Sequence, residues 1–247
     1  MNLIWLSANI FGLELLKEVL NLNIKVKAII TLSEEAETVM YDGINNERWY
    51  KTGIDVYEIE RINNERQLFI NLEPDFVFMV GWRQIIEKSI LNLPKKGFIG
   101  FHPTLLPKGR GPAPIINSII NGFKETGLTM FYVSDGIDNG DIIGQEIFKI
   151  LENDYAEDVY NKMIDAGRRL IRVYLPKLIQ GKAPRIPQDE RKATIFEKRS
   201  MHQNRINIKK ESIHEIYNKI RALSKPYSGA YIQKNEKKLI IWKAEIK

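Results

Sequence analysis

Short apolar runs separated by helix-period segments constrain this chain more than any other feature. Residues 3–6 and 26–31 are strand-like runs flanking residues 11–22, where Leu13, Leu16, Val19 and Leu20 recur at helical spacing; residues 75–80, DFVFMV, form a third run. Runs this short, rich in aliphatic and aromatic residues, read as strands buried on both faces. Strand, helix, strand in succession predicts a parallel pair joined by a right-handed crossover. The expected fold class is therefore α/β, a Rossmann-like, mostly parallel sheet with flanking helices. The turn Ser7–Gly12 holds one glycine where a dinucleotide fingerprint needs three, which argues against a nicotinamide cofactor.

Further along, residues 54–59 predict a short strand, 63–71 a helix, 85–91 a short helix and 142–150 a strand. The polar stretch 34–53 predicts a loop with a short helix. Asn153-Asp154 offers a cap for a long helix over 156–179, and Gly181 to Pro187 read as an irregular connector. Ser212 and Glu215 have capping-box spacing at the start of a helix containing Ile216, Ile220 and Leu223. Residues 230–233 and 239–242 predict a hairpin around residues 234–237. The expected organisation is residues 1–180 as the main domain, 181–193 as connector, and 194–247 as a small α+β appendage of helix plus hairpin.

The segment 97–145 concentrates the chemistry. An apolar strand ends at His102, and a Pro- and Gly-punctuated loop then carries Lys108, Arg110 and Gly111. A helix-like run over 113–121 and a β-rich run over 128–133 lead to the acidic turn Asp135-Gly-Ile-Asp138-Asn-Gly-Asp141. This order puts a histidine and an aspartate at the carboxyl ends of strands, where open α/β sheets place their sites. Lys108 and Arg110 are candidates to grip phosphates. Arg110 has a second reading, as a brace bonded to backbone carbonyls, and Asp135 has one as a turn former. Trp82, after the glycine that ends the third run, is either a core-edge aromatic or the wall of a pocket for a flat ring.

Composition narrows the setting. The chain has 247 residues, no cysteine and a net charge of +6. Without cysteines there is no disulfide framework and no thiolate metal site, which suits a reducing, cytoplasmic location. Its three histidines, His102, His202 and His214, show no ligand spacing, so no metal is expected. The apolar N-terminus is broken by Glu14, Lys17 and Glu18, and no run reaches the ~18 apolar residues of a membrane span, so neither signal peptide nor membrane partner is expected. Seventeen of the 37 basic residues but only seven of the 31 acidic ones fall after residue 180. Because they are scattered and not clustered, a solvated lysine-rich surface is the reading favoured over an anionic partner such as nucleic acid or lipid.

GFHPTLLPKGRGPAP followed by ETGLTMFYVSDGIDNGDIIGQ resembles the folate-dependent formyltransferases, closely over residues 75–150 and loosely over 1–180. The later RALSKPYSGAY with LIIW resembles the start of the C-terminal domain of its tRNA and sugar enzymes. The resemblance implies the formyltransferase fold, with 10-formyltetrahydrofolate as cosubstrate. It places the catalytic histidine on His102 and the catalytic aspartate roughly 36 residues later on Asp138. It implies a pterin pocket around Met79, Gly81, Trp82 and Arg83, with Leu105 and Asp135 as further folate contacts, and Lys108, Arg110 and Gly111 toward the second substrate. The family's third catalytic residue, an asparagine two places before the histidine, falls on Gly100. This departure leaves the formyl oxygen to another donor, a backbone amide or a water.

Formyl transfer between nitrogens needs an amine nucleophile, a donor for the developing oxyanion and a proton path between the two nitrogens; His102 and Asp138 can serve the last two. GFHPT and VGWRQ favour a sugar N-formyltransferase acting on a nucleoside-diphosphate amino-deoxysugar of surface polysaccharide (lipopolysaccharide, O-antigen) biosynthesis. The basic C-terminal segment favours a methionyl-tRNA formyltransferase. The ~55 residues after the connector, about half that family's tRNA-binding domain, weigh against it, so no nucleic-acid partner is expected. Glycinamide ribonucleotide formyltransferase ranks third. A folate- or nucleotide-binding protein without catalysis is the reading from another class. A two-stranded hairpin alone is marginal in water, so it is expected to pack on the main domain or on a second subunit, with a homodimer as the default expectation.

Overall fold

In the computed structural model, which describes residues 1–247, the chain runs β1 (Leu3–Leu6), α1 (Ile10–Asn21), β2 (Ala28–Leu32), α2 (Glu47–Tyr50), β3 (Asp55–Ile59), α3 (Arg66–Leu72), β4 (Phe76–Met79), α4 (Lys88–Leu91) and β5 (Phe98–His102). It continues with α5 (Pro114–Ile120), β6 (Glu125–Tyr132), β7 (Ile142–Lys149), α6 (Ala156–Ile179), α7 (Ile213–Leu223), β8 (Ala230–Lys234) and β9 (Lys237–Ile241). Seven strands form one sheet in the order β3-β2-β1-β4-β5-β6-β7. The first five are mutually parallel, and β6 and β7 add antiparallel to that edge.

Every residue of β1 and β2 is buried, as expected of strands with helices on both faces. The period-two pleat divides β1 between two cores: Leu3 and Trp5 join a 38-residue cluster with α1 and α6, whereas Ile4 and Leu6 join an 11-residue cluster with Phe69, Leu72 and Ile90. Trp5 stacks on Phe78 with ring centroids 5.7 Å apart, and burying an aromatic this completely stabilises by about 1.5–3 kcal/mol. Asn9 caps α1 by accepting the Gly12 amide at 2.9 Å.

Several elements differ from expectation. Helix α6 is capped at Tyr155, whose amide donates to Asp158 at 2.8 Å. The expected cap residue Asp154 instead accepts the Leu151 amide and the Lys162 ammonium. The hairpin loop is tighter, since Lys234 pairs with Lys237 and leaves Asn235-Glu236 as the turn. Asn235 takes the positive φ of 54° that such a turn requires. The connector is not loose: Ile186 exchanges two backbone hydrogen bonds with Ile142 at the start of β7. The capping box of Ser212 and Glu215 forms as expected.

The C-terminal segment does not build a core of its own. Ile206, Ile220, Leu223 and Ala230 belong to the same 38-residue cluster as Ile116 and Ile119 of α5.

Candidate functional site

Strands β2 and β3 lie to one side of β1, and β4 lies to the other, so the order reverses between β1 and β4. Open sheets bind ligands at the carboxyl ends of their strands beside such a reversal. A cleft of about 500 Å³ opens there, lined from the sheet by Asn9, Met79, Gly81, Trp82, His102 and Asp138. Its outer wall comes from Tyr41 and Asp42 and, far along the chain, from Tyr160, Lys198, Arg199 and Tyr227.

His102 is 6% exposed at the end of β5. Its Nε2 lies 2.8 Å from the Gly109 carbonyl oxygen, which can only accept, so Nε2 carries a proton. Its Nδ1 faces Asp138 Oδ2 at 3.4 Å, long for a hydrogen bond but within ion-pair distance. The same carboxylate oxygen accepts the Gly111 amide at 2.9 Å. The two residues expected to act as a pair thus share one cleft.

A second buried carboxylate organises the opposite wall. Asp42 Oδ1 accepts from Arg83 at 2.6 Å, and Oδ2 accepts from the Tyr160 hydroxyl at 2.7 Å and the Asn9 amide at 3.2 Å. Asn9 also donates to the Gly81 carbonyl at 3.2 Å. Gly81 has φ +63°, and a Cβ there would collide with the Asn9 amide, so a side chain is excluded at this bend. Burial, then the Asp42 charge, pushes the Tyr160 hydroxyl far above its ordinary value, and burial raises that of Tyr227. Both phenols stay neutral donors.

Met79, Gly81, Trp82, Arg83 and Gly111 line the cleft, and four other candidates do not. Asp135 is exposed and pairs with Lys88 at 2.6 Å, on a surface groove outside the cleft. Lys108 is exposed at the tip of its loop, and Leu105 packs over Gly127. The buried Arg110 guanidinium makes two hydrogen bonds each to Gln188 and Glu190, at 2.7–3.1 Å. It braces its loop, through side chains and not the backbone carbonyls the sequence suggested, and has no fork left for a phosphate. At Gly100, a Cβ would lie 2.8 Å from the Phe131 ring and 2.9 Å from Val133, so those side chains occupy the room an asparagine would need. Sequence reasoning missed Asp42, Tyr160, Lys198 and Arg199, which sit in a polar loop, a helix and a connecting stretch with no local signal. For Tyr227 the PYSGAY segment was the only pointer.

These observations define an α/β protein with a histidine–aspartate pair in a cleft at the sheet's switch point. Comparison with known proteins is consistent with that class. The Formyl transferase family model matches residues 18–174, and the model of the Formyl transferase C-terminal domain matches residues 199–247. A methionyl-tRNA formyltransferase of Halalkalibacterium halodurans is 39% identical over 197 residues, covering 79% of this chain and 62% of its own length. The bifunctional polymyxin resistance protein ArnA of Wigglesworthia glossinidia brevipalpis is 34% identical over 230 residues, covering 92% of this chain and 35% of its own. An N-formyltransferase from Helicobacter canadensis, solved with folinic acid and dTDP-3-aminofucose, superposes with a TM-score of 0.74 at 24% identity, over 97% of this chain and 86% of its own. The chain belongs to the formyl transferase family; it spans less than two thirds of the length of these curated relatives.

Proposed function

We propose that this chain transfers a formyl group from 10-formyltetrahydrofolate to the amino group of a nucleotide-linked amino-deoxysugar. The observation that carries the reading is His102 and Asp138 facing each other at 3.4 Å in the cleft that Met79–Arg83 wall. The cleft suits a reduced pterin: Met79, Trp82, Phe101 and Phe131 supply apolar walls, and the buried Trp82 indole N–H has no partner within the chain.

When bound, the folate would supply the formyl group in a form ready for transfer. The chain's own part is proton handling and positioning. His102 holds one proton at Nε2 against Gly109, and its Nδ1 can take up another released by the attacking amine and return it to the folate nitrogen as that C–N bond breaks. Asp138, fixed by the Gly111 amide, faces the ring nitrogen at which that proton arrives. Arg83 and Trp82 are held in the wall through Asp42 and Asn9. Lys198 and Arg199, which line the cleft, could offer positive charge to a diphosphate; burial holds the Arg199 guanidinium below its usual value, which an anion would offset.

The likeness to the Helicobacter canadensis enzyme over nearly the whole chain supports the sugar substrate. A second reading, a methionyl-tRNA formyltransferase, is favoured by the 39% identity to the Halalkalibacterium halodurans enzyme. Incubation with 10-formyltetrahydrofolate and either a panel of nucleotide amino sugars or charged initiator tRNA separates the two, with tetrahydrofolate release as readout. Turnover with an amino sugar is expected, reduced about 10²–10⁴-fold in His102→Ala. Turnover with tRNA alone selects the second reading. Tight folate binding without turnover marks a non-catalytic binder, and an unchanged rate in His102→Ala overturns the mechanism.

A further inference from the structure

We propose that Gln188, in the connector after α6, is a positioning residue that sets the geometry of His102 and Asp138 by clamping together the two loops that hold them. The inference rests on the formyl-transfer reading for its kinetic consequence, but its geometry is independent of substrate.

All four hydrogen-bonding positions of the Gln188 amide are engaged. Its Nε2 donates to the carbonyls of Asp138 and Gly140, each at 2.8 Å. Its Oε1 accepts from Arg110 Nε at 3.1 Å and Nη2 at 2.8 Å. Carbonyls only accept and a guanidinium only donates, so the amide orientation is fixed by its partners.

Each contact reaches the reacting pair within one or two residues. Asp138 has φ +49°, a left-handed conformation that a non-glycine residue holds only where its surroundings enforce it. Gln188 ties down the carbonyl of that residue and that of Gly140. On the other side, Arg110 lies between Gly109, whose carbonyl faces His102 Nε2, and Gly111, whose amide holds Asp138 Oδ2. The segment that follows continues the brace: Thr194 accepts the Gly109 and Arg110 amides, and Phe196 donates to the Arg110 carbonyl. Without Gln188 the acidic turn and the Arg110 loop are joined only through the Asp138–Gly111 bond and the His102 contacts themselves.

Two variants of the full chain test this. Gln188→Ala removes all four bonds. Gln188→Glu keeps an acceptor for Arg110 but presents oxygen to two carbonyls, so it breaks the Asp138 side alone. Both are expected to lose about 10- to 100-fold in kcat, the scale of a small misplacement of reacting groups, with KM for 10-formyltetrahydrofolate unchanged within about twofold. Imidazole ¹⁵N NMR is expected to show the His102 ring signals displaced in both. A wild-type kcat in Gln188→Glu, a loss confined to KM, or unshifted His102 signals overturns the clamp. Should Gln188→Ala not fold, Gln188→Glu carries both readouts. If the wild-type protein formylates no amine, the proposed function falls, and the His102 signals alone still decide the clamp.

Discussion

At Gly100 the family resemblance and the packing point in opposite directions, and the packing shows why. The position lies in β5 beside Phe131 of β6 and Val133 just beyond it, with no room for a Cβ unless those side chains move. Gly100→Ala is expected to destabilise the protein by about 1–3 kcal/mol through overpacking. Adding Phe131→Leu should recover most of it, as coupled neighbours do. Urea unfolding of the two variants checks this; a single variant as stable as wild type would show that the ring yields freely. His102 and Asp138 were legible as a pair because their spacing belongs to a recognisable pattern. Asp42, Gln188 and Glu190 were not, because nothing around them in sequence marks a carboxylate or amide whose partners lie 33 to 118 residues away.

Among the elements, α1 and α6 show how a pattern that predicts a helix leaves its partner open. Their apolar faces meet in the main core, and the rim is closed by Glu14–Arg168 and Glu18–Arg172, both at 2.6 Å. The Arg172 hydrogen bond, outweighing burial, lowers the Glu18 carboxyl below its ordinary value of 4.5. A carboxylate lowered in the folded state adds stability above its unfolded pKa, and that stability fades as pH falls through the lower folded value. Glu18→Gln is therefore expected to cost about 0.5–1 kcal/mol at pH 7, because Arg172 is largely solvated. The deficit should shrink as pH falls below about 4.5 and vanish only below the lowered folded value. Urea midpoints of wild type and variant across pH 3–7 test it; a deficit constant over that range would assign the effect to packing instead of charge.

For the molecule as a whole, the main question is whether residues 199–247 stand apart. Leu223 is 2% exposed in the shared core. Arg221 donates to the carbonyls of Leu151 and Asp154, Ser224 accepts the Ala156 amide, and Tyr155 donates to Ala244. Leu223→Ala is expected to cost about 2–5 kcal/mol and to lower the single unfolding transition of the entire chain. Two resolved transitions in calorimetry, only one of them shifted, would show that the C-terminal segment folds as its own unit. Along with this docking comes the outer wall of the cleft, since Lys198, Arg199 and Tyr227 reach it only because the tail packs where it does.

The amino-acid sequence by itself determined the buried runs of β1, β2 and β4, the helices between them, and the loop pair carrying His102 and Asp138. Each of these is written in residues close along the chain, as periodicity, capping or fixed spacing. Only the tertiary structure decided that Arg110 braces its loop, that Asp42 anchors the wall, and that Gln188 joins the loops carrying His102 and Asp138. Such bonds depend on where distant segments come to lie, and a side chain's eventual partner leaves no trace in its immediate neighbours.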